Sequence, residues 1–180
     1  GVFLGIESFG DESLKEANKK QNKIDNYKSA IKNIHKRGIA VMAGFIAGFD
    51  HDTTQSIEIM ADRLMEIGVD VPFISIMTPF KGTPIYDDFK VNKRLIEKRG
   101  WEFYNGYNVA FNPKSITSEE LLNAHRNLWE KAFSFYLSLK RITKGVFRLR
   151  TGAFFLSACM NGFYMAKRLR KNYPIDMSNI

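Results

Sequence analysis

The sequence predicts an α/β fold built from about three parallel βα units, and two observations carry that prediction. Three short apolar runs without polar alternation, at Val2 to Ile6, Ile39 to Phe49 and Val71 to Met77, read as strands buried on both faces. Amphipathic helical patterns separate them, the order expected of parallel strands joined by crossover helices. About three such units neither close a barrel nor make a comfortable open sheet, so the chain is expected to be part of a larger fold.

Each element has a local reason. Val2 to Ile6 is β-branched and aromatic and stops at Glu7-Ser8-Phe9-Gly10. Asp11 to Lys20 is polar and helix-prone. Tyr27, Ile31 and Ile34 recur at the spacing of one helical face from Ile24, with Gly38 placed to end the helix. The second strand carries Gly44 and Gly48. Asp52-Thr53 starts a helix whose Ile57, Met60, Leu64 and Ile67 share a side, closed by Gly68. Two prolines and a glycine make 78–84 a loop. Beyond Gly100 the chain turns aromatic and irregular from Trp101 to Pro113. Thr117-Ser118-Glu119-Glu120 is then a capping box opening a long helix, with Leu121, Leu128, Ala132, Phe135 and Leu139 on its apolar face. A second helical stretch is expected from about Gly145 to Tyr173, ending at Pro174.

Composition bounds the function. Of 180 residues 44% are hydrophobic, ordinary for a globular protein with a real core. A single cysteine, Cys159, excludes a disulfide framework, an all-cysteine zinc site and a self-contained iron–sulfur cluster. It fits a reducing, cytoplasmic compartment and is read as a packed core thiol. No run approaches the roughly 20 apolar residues of a membrane span, and the first residues show no signal-peptide pattern.

Three constellations sit where strands end. Gly5-Ile6-Glu7-Ser8 places a carboxylate at the end of a strand that faces the active site in a parallel barrel, although four residues alone favour a capping turn. Gly44-Phe45-Ile46-Ala47-Gly48-Phe49-Asp50 keeps two glycines in a buried strand, each disfavoured by about 0.5–1 kcal/mol relative to alanine. It lacks the spacing of a phosphate-cradling loop. Thr78-Pro79-Phe80-Lys81-Gly82-Thr83-Pro84-Ile85-Tyr86 follows the third strand, where a rigid connection alone would also account for it.

Taken together and in this order, the three segments resemble the radical S-adenosylmethionine (radical SAM) superfamily, in the branch that carries an N-terminal cobalamin-binding domain. The resemblance covers about Val2 to Leu122 and includes Ser13 to Asn22, Trp101 to Gly106 and Asn108 to Lys114. It implies the C-terminal half of a partial TIM-type (βα) barrel over 1–100, followed by a mostly α-helical C-terminal region over 101–180. The partner it implies is the missing N-terminal half of the same polypeptide. S-adenosylmethionine would then be held by Glu7 and Ser8 at its ribose or amino-acid part and by Lys19 at its carboxylate. Gly44, Ile46 and Gly48 would form the adenine shelf, and backbone near Met77 and Thr78 would meet the adenine edge. The resemblance implies radical chemistry or cobalamin-dependent methylation of an unknown substrate, with a [4Fe–4S] cluster and cobalamin both bound outside this chain. The family's cluster cysteines are absent here, so this chain alone is expected to be inactive. Asp50 stands where relatives more often have Glu.

The remaining polar candidates are read blandly. His35, His51 and His125 lack metal-ligand spacing and are placed at the surface or in loops. Asp87-Asp88 and Glu119-Glu120 are read as solvated or capping groups. The net charge of +8 is unevenly spread, with basic residues from Lys140 to Lys171 and no acidic residue among them. Interleaved with Phe147, Phe154, Phe155, Phe163 and Tyr164, this region is a candidate peripheral contact with an anionic membrane. No nucleic-acid-binding motif accompanies it, and no nucleic acid is expected. The alternative reading is a non-catalytic α/β binding or scaffold module that lacks the cluster half.

Overall fold

A computed structural model describes residues 1–96 and 100–171. Strands β1 (Val2–Glu7), β2 (Val41–Ala47) and β3 (Val71–Ile76) form a parallel sheet in the order β1-β2-β3. Between β1 and β2 lie α1 (Asp11–Glu16) and α2 (Ile24–His35), and between β2 and β3 lie α3 (Thr54–Glu58) and α4 (Met60–Ile67). Then follow α5 (Pro84–Val91), a 3-10 turn at Trp101–Phe103, and three longer helices, α6 (Ser118–Ala132), α7 (Phe135–Arg148) and α8 (Thr151–Leu169). The expected strands and their crossovers are present, and the fold is α/β.

Register sorts the strand residues into two faces. Ile6, Val41, Ala43, Phe45, Ile74 and Ile76 are buried in one core with residues of α2, α4 and α6. On the other face Phe3 pairs with Met42, Gly5 with Gly44, Gly44 with Phe73 and Ile46 with Ser75. That face is half-open, with Phe3 58% exposed.

The two sheet edges differ. Along β3, the Ile74 carbonyl meets His125 Nε2 at 3.2 Å, the Ile76 N–H donates to Gly106 O at 2.6 Å, and Asn161 Nδ2 donates to Asp70 O at 2.8 Å. Helices and a loop thus satisfy that edge. On the outer edge of β1, no strand pairs among the described residues. At the strands' N-terminal end, buried Asp70 accepts from the Val41 N–H at 2.8 Å and pairs with His35 and Arg148. Burial raises its pKa, but these hydrogen bonds and the Arg148 charge together hold it below the usual carboxylate value.

Several expectations need correction. The first helix stops at Glu16, because Asn18 takes a left-handed backbone at φ 54°. The capping box at Thr117 and Glu120 forms as read, but its helix ends at Ala132 and Ser134 caps a new one. Phe135 and Leu139 therefore leave the α6 core face and lie exposed. The second long stretch is split at Leu149, which is extended; its expected end at Tyr173 and Pro174 lies outside the described residues. His125 is buried, since it serves the β3 edge, and His35 is half-buried against Asp70, whereas His51 is exposed. Cys159 is exposed, because Ser157 and Asn161 occupy the buried side of α8. Among the described residues no helix is long and apolar enough to cross a membrane.

Candidate functional site

All three sequence constellations come to the C-terminal end of the sheet, because the strands are parallel and consecutive. At the end of β1 the pairing slips between Gly5 and Glu7, and Glu7 takes φ 67°. A left-handed backbone costs a non-glycine residue about 1–2 kcal/mol, so this carboxylate is held in place by its surroundings. Asn22 Nδ2 donates to Gly5 O at 3.0 Å and to Ile6 O at 3.1 Å, and the Tyr27 hydroxyl donates to Ile6 O at 3.3 Å. The Glu7 side chain folds back over Gly5, where a Cβ would stand 2.5 Å from Glu7 Oε1. A side chain at Gly5 would displace that carboxylate, which hangs over the half-open face. Lys19 Nζ lies 3.3 Å from Glu7 Oε1, with both side chains part-exposed.

Ser8 is buried, and its hydroxyl accepts the Gly10 N–H at 3.0 Å, closing the turn into α1. Gly44 and Ile46 lie on the half-open face beside Glu7. The space over Gly44 admits the Phe3 ring, whose Cζ would stand 3.2 Å from an added Cβ, and Phe3 meets Phe73 edge-on at 5.3 Å. Gly48 faces the core instead, with φ 106° and Leu121 Cδ2 at 2.9 Å from the place of a Cβ. The Met77 side chain is buried and its N–H already donates to Ala47 O at 2.8 Å. The Thr78 hydroxyl donates to Ile76 O at 3.0 Å. Downstream, Gly82 at φ 85° and Thr83, which caps α5 with Pro84 in its first turn, explain the shape of that loop. The structure therefore brings Glu7, Lys19, Gly44 and Ile46 to one face, and places Ser8, Gly48 and Met77 behind it.

Three residues have bracing roles that the sequence does not reveal. Asp52, buried, accepts the Gly48 and Phe49 N–H groups at 2.8 and 3.1 Å and the Ser13 hydroxyl at 3.1 Å, tying the β2 turn to α1. Burial pushes its carboxyl above the ordinary value despite these donors. Arg94, buried against Phe89 at 4.0 Å from its ring centre, grips Asp50 with two nitrogens. Lys114 adds a second cation, and the Asp50 N–H donates to Glu16 at 2.9 Å. Burial works against ionisation of Asp50, yet Arg94 and Lys114 hold its carboxyl below the usual range. Asn22 is the third. The carboxylate at position 50 is thus an anchor for its loop. A short-range signal existed only for Asp52, four residues after Gly48 in a G-F-D-H-D run.

No family model matches the chain. Curated relatives do. Bacteriochlorophyllide d C-12(1)-methyltransferase of Chlorobaculum tepidum is 33% identical over 141 residues, covering 78% of this chain and 30% of the relative. The anaerobic magnesium-protoporphyrin IX monomethyl ester cyclase of Cereibacter sphaeroides is 25% identical over 175 residues, 97% of this chain and 27% of its own length. Hopanoid C-2 methylase of Rhodopseudomonas palustris is 26% identical over 95 residues, 53% of this chain and 18% of its own. The chain belongs to the radical SAM superfamily. Its relatives place it in the cobalamin-associated branch, as the three strand-end motifs imply. It spans about a third or less of the length of these relatives.

Within the described residues, no group of three or more His, Cys, Asp or Glu side chains could hold a metal ion, and Cys159 stands alone on α8. These residues do not fit a [4Fe–4S] cluster.

Proposed function

We propose that this chain is the C-terminal, S-adenosylmethionine-facing part of a radical SAM enzyme that methylates a large, mostly apolar acceptor. The observation that carries this reading is the Glu7–Lys19 pair, an acceptor and a cation side by side at a strand end, above the half-open face that carries Gly44 and Ile46. An acceptor beside a cation matches the ammonium and carboxylate of a zwitterionic amino-acid moiety, and the carboxylate also suits ribose hydroxyls. Lys19 would take the carboxylate and Glu7 the ribose or ammonium. Ile46 and the Phe3–Phe73 pair would give the adenine an apolar floor, with the Phe3 ring lying over Gly44. When bound, S-adenosylmethionine supplies an activated methyl group and a source of radical chemistry. This chain's own residues bind and orient it.

The cluster and the cobalamin belong, on this reading, to an upstream part of the same polypeptide. The unpaired outer edge of β1 and the exposed Phe3 ring support that arrangement, since an added parallel strand would satisfy the one and bury the other. The completed sheet would be a partial TIM-type barrel. The relatives' names support methyl transfer to tetrapyrrole-like or hopanoid acceptors as the substrate class. The test is to reduce the full-length protein with methyl-labelled S-adenosylmethionine and an extract of apolar cell constituents. Label recovered in one apolar product supports methylation. Cleavage of the cofactor with no label in the apolar fraction overturns it in favour of other radical chemistry.

A further inference from the structure

A helix on a water-soluble surface hides its apolar stripe and shows its polar one, and α7 departs from that pattern. Its buried side consists of Leu137, Ser138, Arg141 and Gly145. Arg141 is fully enclosed, donating to Ala132 O at 2.6 Å and Asn161 Oδ1 at 2.7 Å. Its outward side carries Phe135, Leu139 and Val146 in one row and Tyr136 and Phe147 in the next, with Phe147 90% exposed. Helix α8 departs from that pattern as well. Only the polar Ser157 and Asn161 are buried, while Phe155, Leu156 and Phe163 face outward. Two neighbouring helices thus each expose a row of apolar side chains, and large exposed apolar patches are rare on monomeric soluble proteins.

Charge indicates what covers it. From Lys131 to Lys171 the sequence holds no acidic residue. Beside Phe147 opens a cavity of about 780 Å³, between α2 and the α7–α8 turn, into which Lys32, Lys36, Arg37, Lys144, Arg148 and Arg150 project. The carboxylate that lines it, Glu66, is 3.5 Å from Lys28. Lys144 is held below the ordinary lysine value, by partial burial first and then by the neighbouring Lys140 and Arg148 charges, and of the cations here Arg148 is paired with buried Asp70. A second copy of the chain would bring these cations face to face, which opposes association. Leu139 and Val146 suit acyl chains better than a polar partner.

We propose that the α7–α8 hairpin docks the protein on an anionic membrane surface, with its aromatic stripe among the acyl chains and phospholipid headgroups in the basic cavity. The inference rests on surface chemistry and not on the cofactor reading, although Tyr164 of α8 meets Phe73 of the half-open face at 6.3 Å. Such a helix lies in the interface plane without crossing it.

The test is sedimentation of the full-length protein with phosphatidylcholine vesicles, with and without about 30% phosphatidylglycerol. Binding is expected only with the anionic lipid, weakening as salt is raised from about 0.1 M to about 0.5 M because exposed charges are then screened. The double variant F135S/F147S, altered at exposed positions, should lose most of the binding. K32Q/K36Q/K144Q should weaken it on the order of 100-fold, taking three charges at the worth of a basic residue near such a surface. Three outcomes would each overturn the proposal: no binding by the folded wild-type protein, binding untouched by both variants, or a wild-type dimer that F135S/F147S turns into a monomer without any vesicle binding.

Discussion

Asp52 joins the fold to the candidate site, and its removal has a calculable cost. Asp52→Ala withdraws the acceptor from two buried amides, Gly48 N–H and Phe49 N–H, and from the Ser13 hydroxyl. A buried donor left unpaired costs about 1–3 kcal/mol, while a hydroxyl can rotate to another acceptor. Against this, the carboxylate is itself unfavourably buried, as its raised pKa records, and alanine removes that penalty. The net expectation is a loss of about 3 kcal/mol for Asp52→Ala. Asp52→Asn keeps one acceptor oxygen and should lose about 1 kcal/mol. In a chain of this size the alanine variant should melt roughly 6–12 °C lower. Urea unfolding of wild type and both variants measures the difference. Because the turn carries Gly48 to Asp50, amide hydrogen exchange at these residues should quicken as well. An alanine variant within about 0.5 kcal/mol of wild type, the scale of neutral surface changes, would mean that Asp52 does not brace the turn.

Three further outcomes follow from single contacts. Gly48→Ala combines a positive φ with a Cβ 2.9 Å from Leu121, so it should cost about 3 kcal/mol. Leu121→Ala should cost less in this background than in wild type, a coupling that a double-mutant cycle in urea would detect. Glu7→Gly relieves a left-handed backbone while adding chain entropy to the unfolded state. These terms nearly cancel, so stability should stay within about 1 kcal/mol while S-adenosylmethionine binding falls; a much larger drop in stability would make Glu7 a structural residue. His125, buried, has its pKa pushed down to about 4, chiefly by burial. The unfolded chain then binds its proton more tightly than the folded one. This contribution is fully present above pH ~6.5 and is lost as pH falls towards ~4, by about 1.4 kcal/mol per pH unit or about 3 kcal/mol in all. A His125→Gln variant should lack that slope in stability-versus-pH curves.

Much of the architecture is legible in the sequence because it rests on local signals. Apolar runs bounded by turn residues mark the strands, Gly68 ends α4 with φ 92°, and Thr117 with Glu120 opens α6. The helix breaks at Ser134 and Leu149 are not legible in the same way. Neither is marked by glycine or proline, and the chain on both sides reads as uninterrupted helix. Burial of His125, Arg94 and Arg141 depends on partners 18 to 51 or more positions away, such as Ile74 O and Asn112 O. Periodicity cannot show such contacts. Cys159 was misplaced for a related reason. An apolar helix normally buries its apolar side, whereas α8 buries Asn161 to reach Asp70 O and Arg141. At the candidate site, the sequence names Glu7 and Lys19 separately, and the structure sets them side by side. That Ser8 serves a turn and Gly48 faces Leu121 emerges only from the three-dimensional packing.

On the proposed reading Glu7 presents its carboxylate to S-adenosylmethionine. Equilibrium dialysis of labelled S-adenosylmethionine against the full-length protein and its Glu7→Gln variant tests it directly. Saturable binding by wild type, weakened about 10- to 100-fold in the variant at unchanged stability, is the predicted result, the scale of one charge-assisted hydrogen bond. Equal affinity in the two proteins, or no binding by a folded wild type, would contradict it.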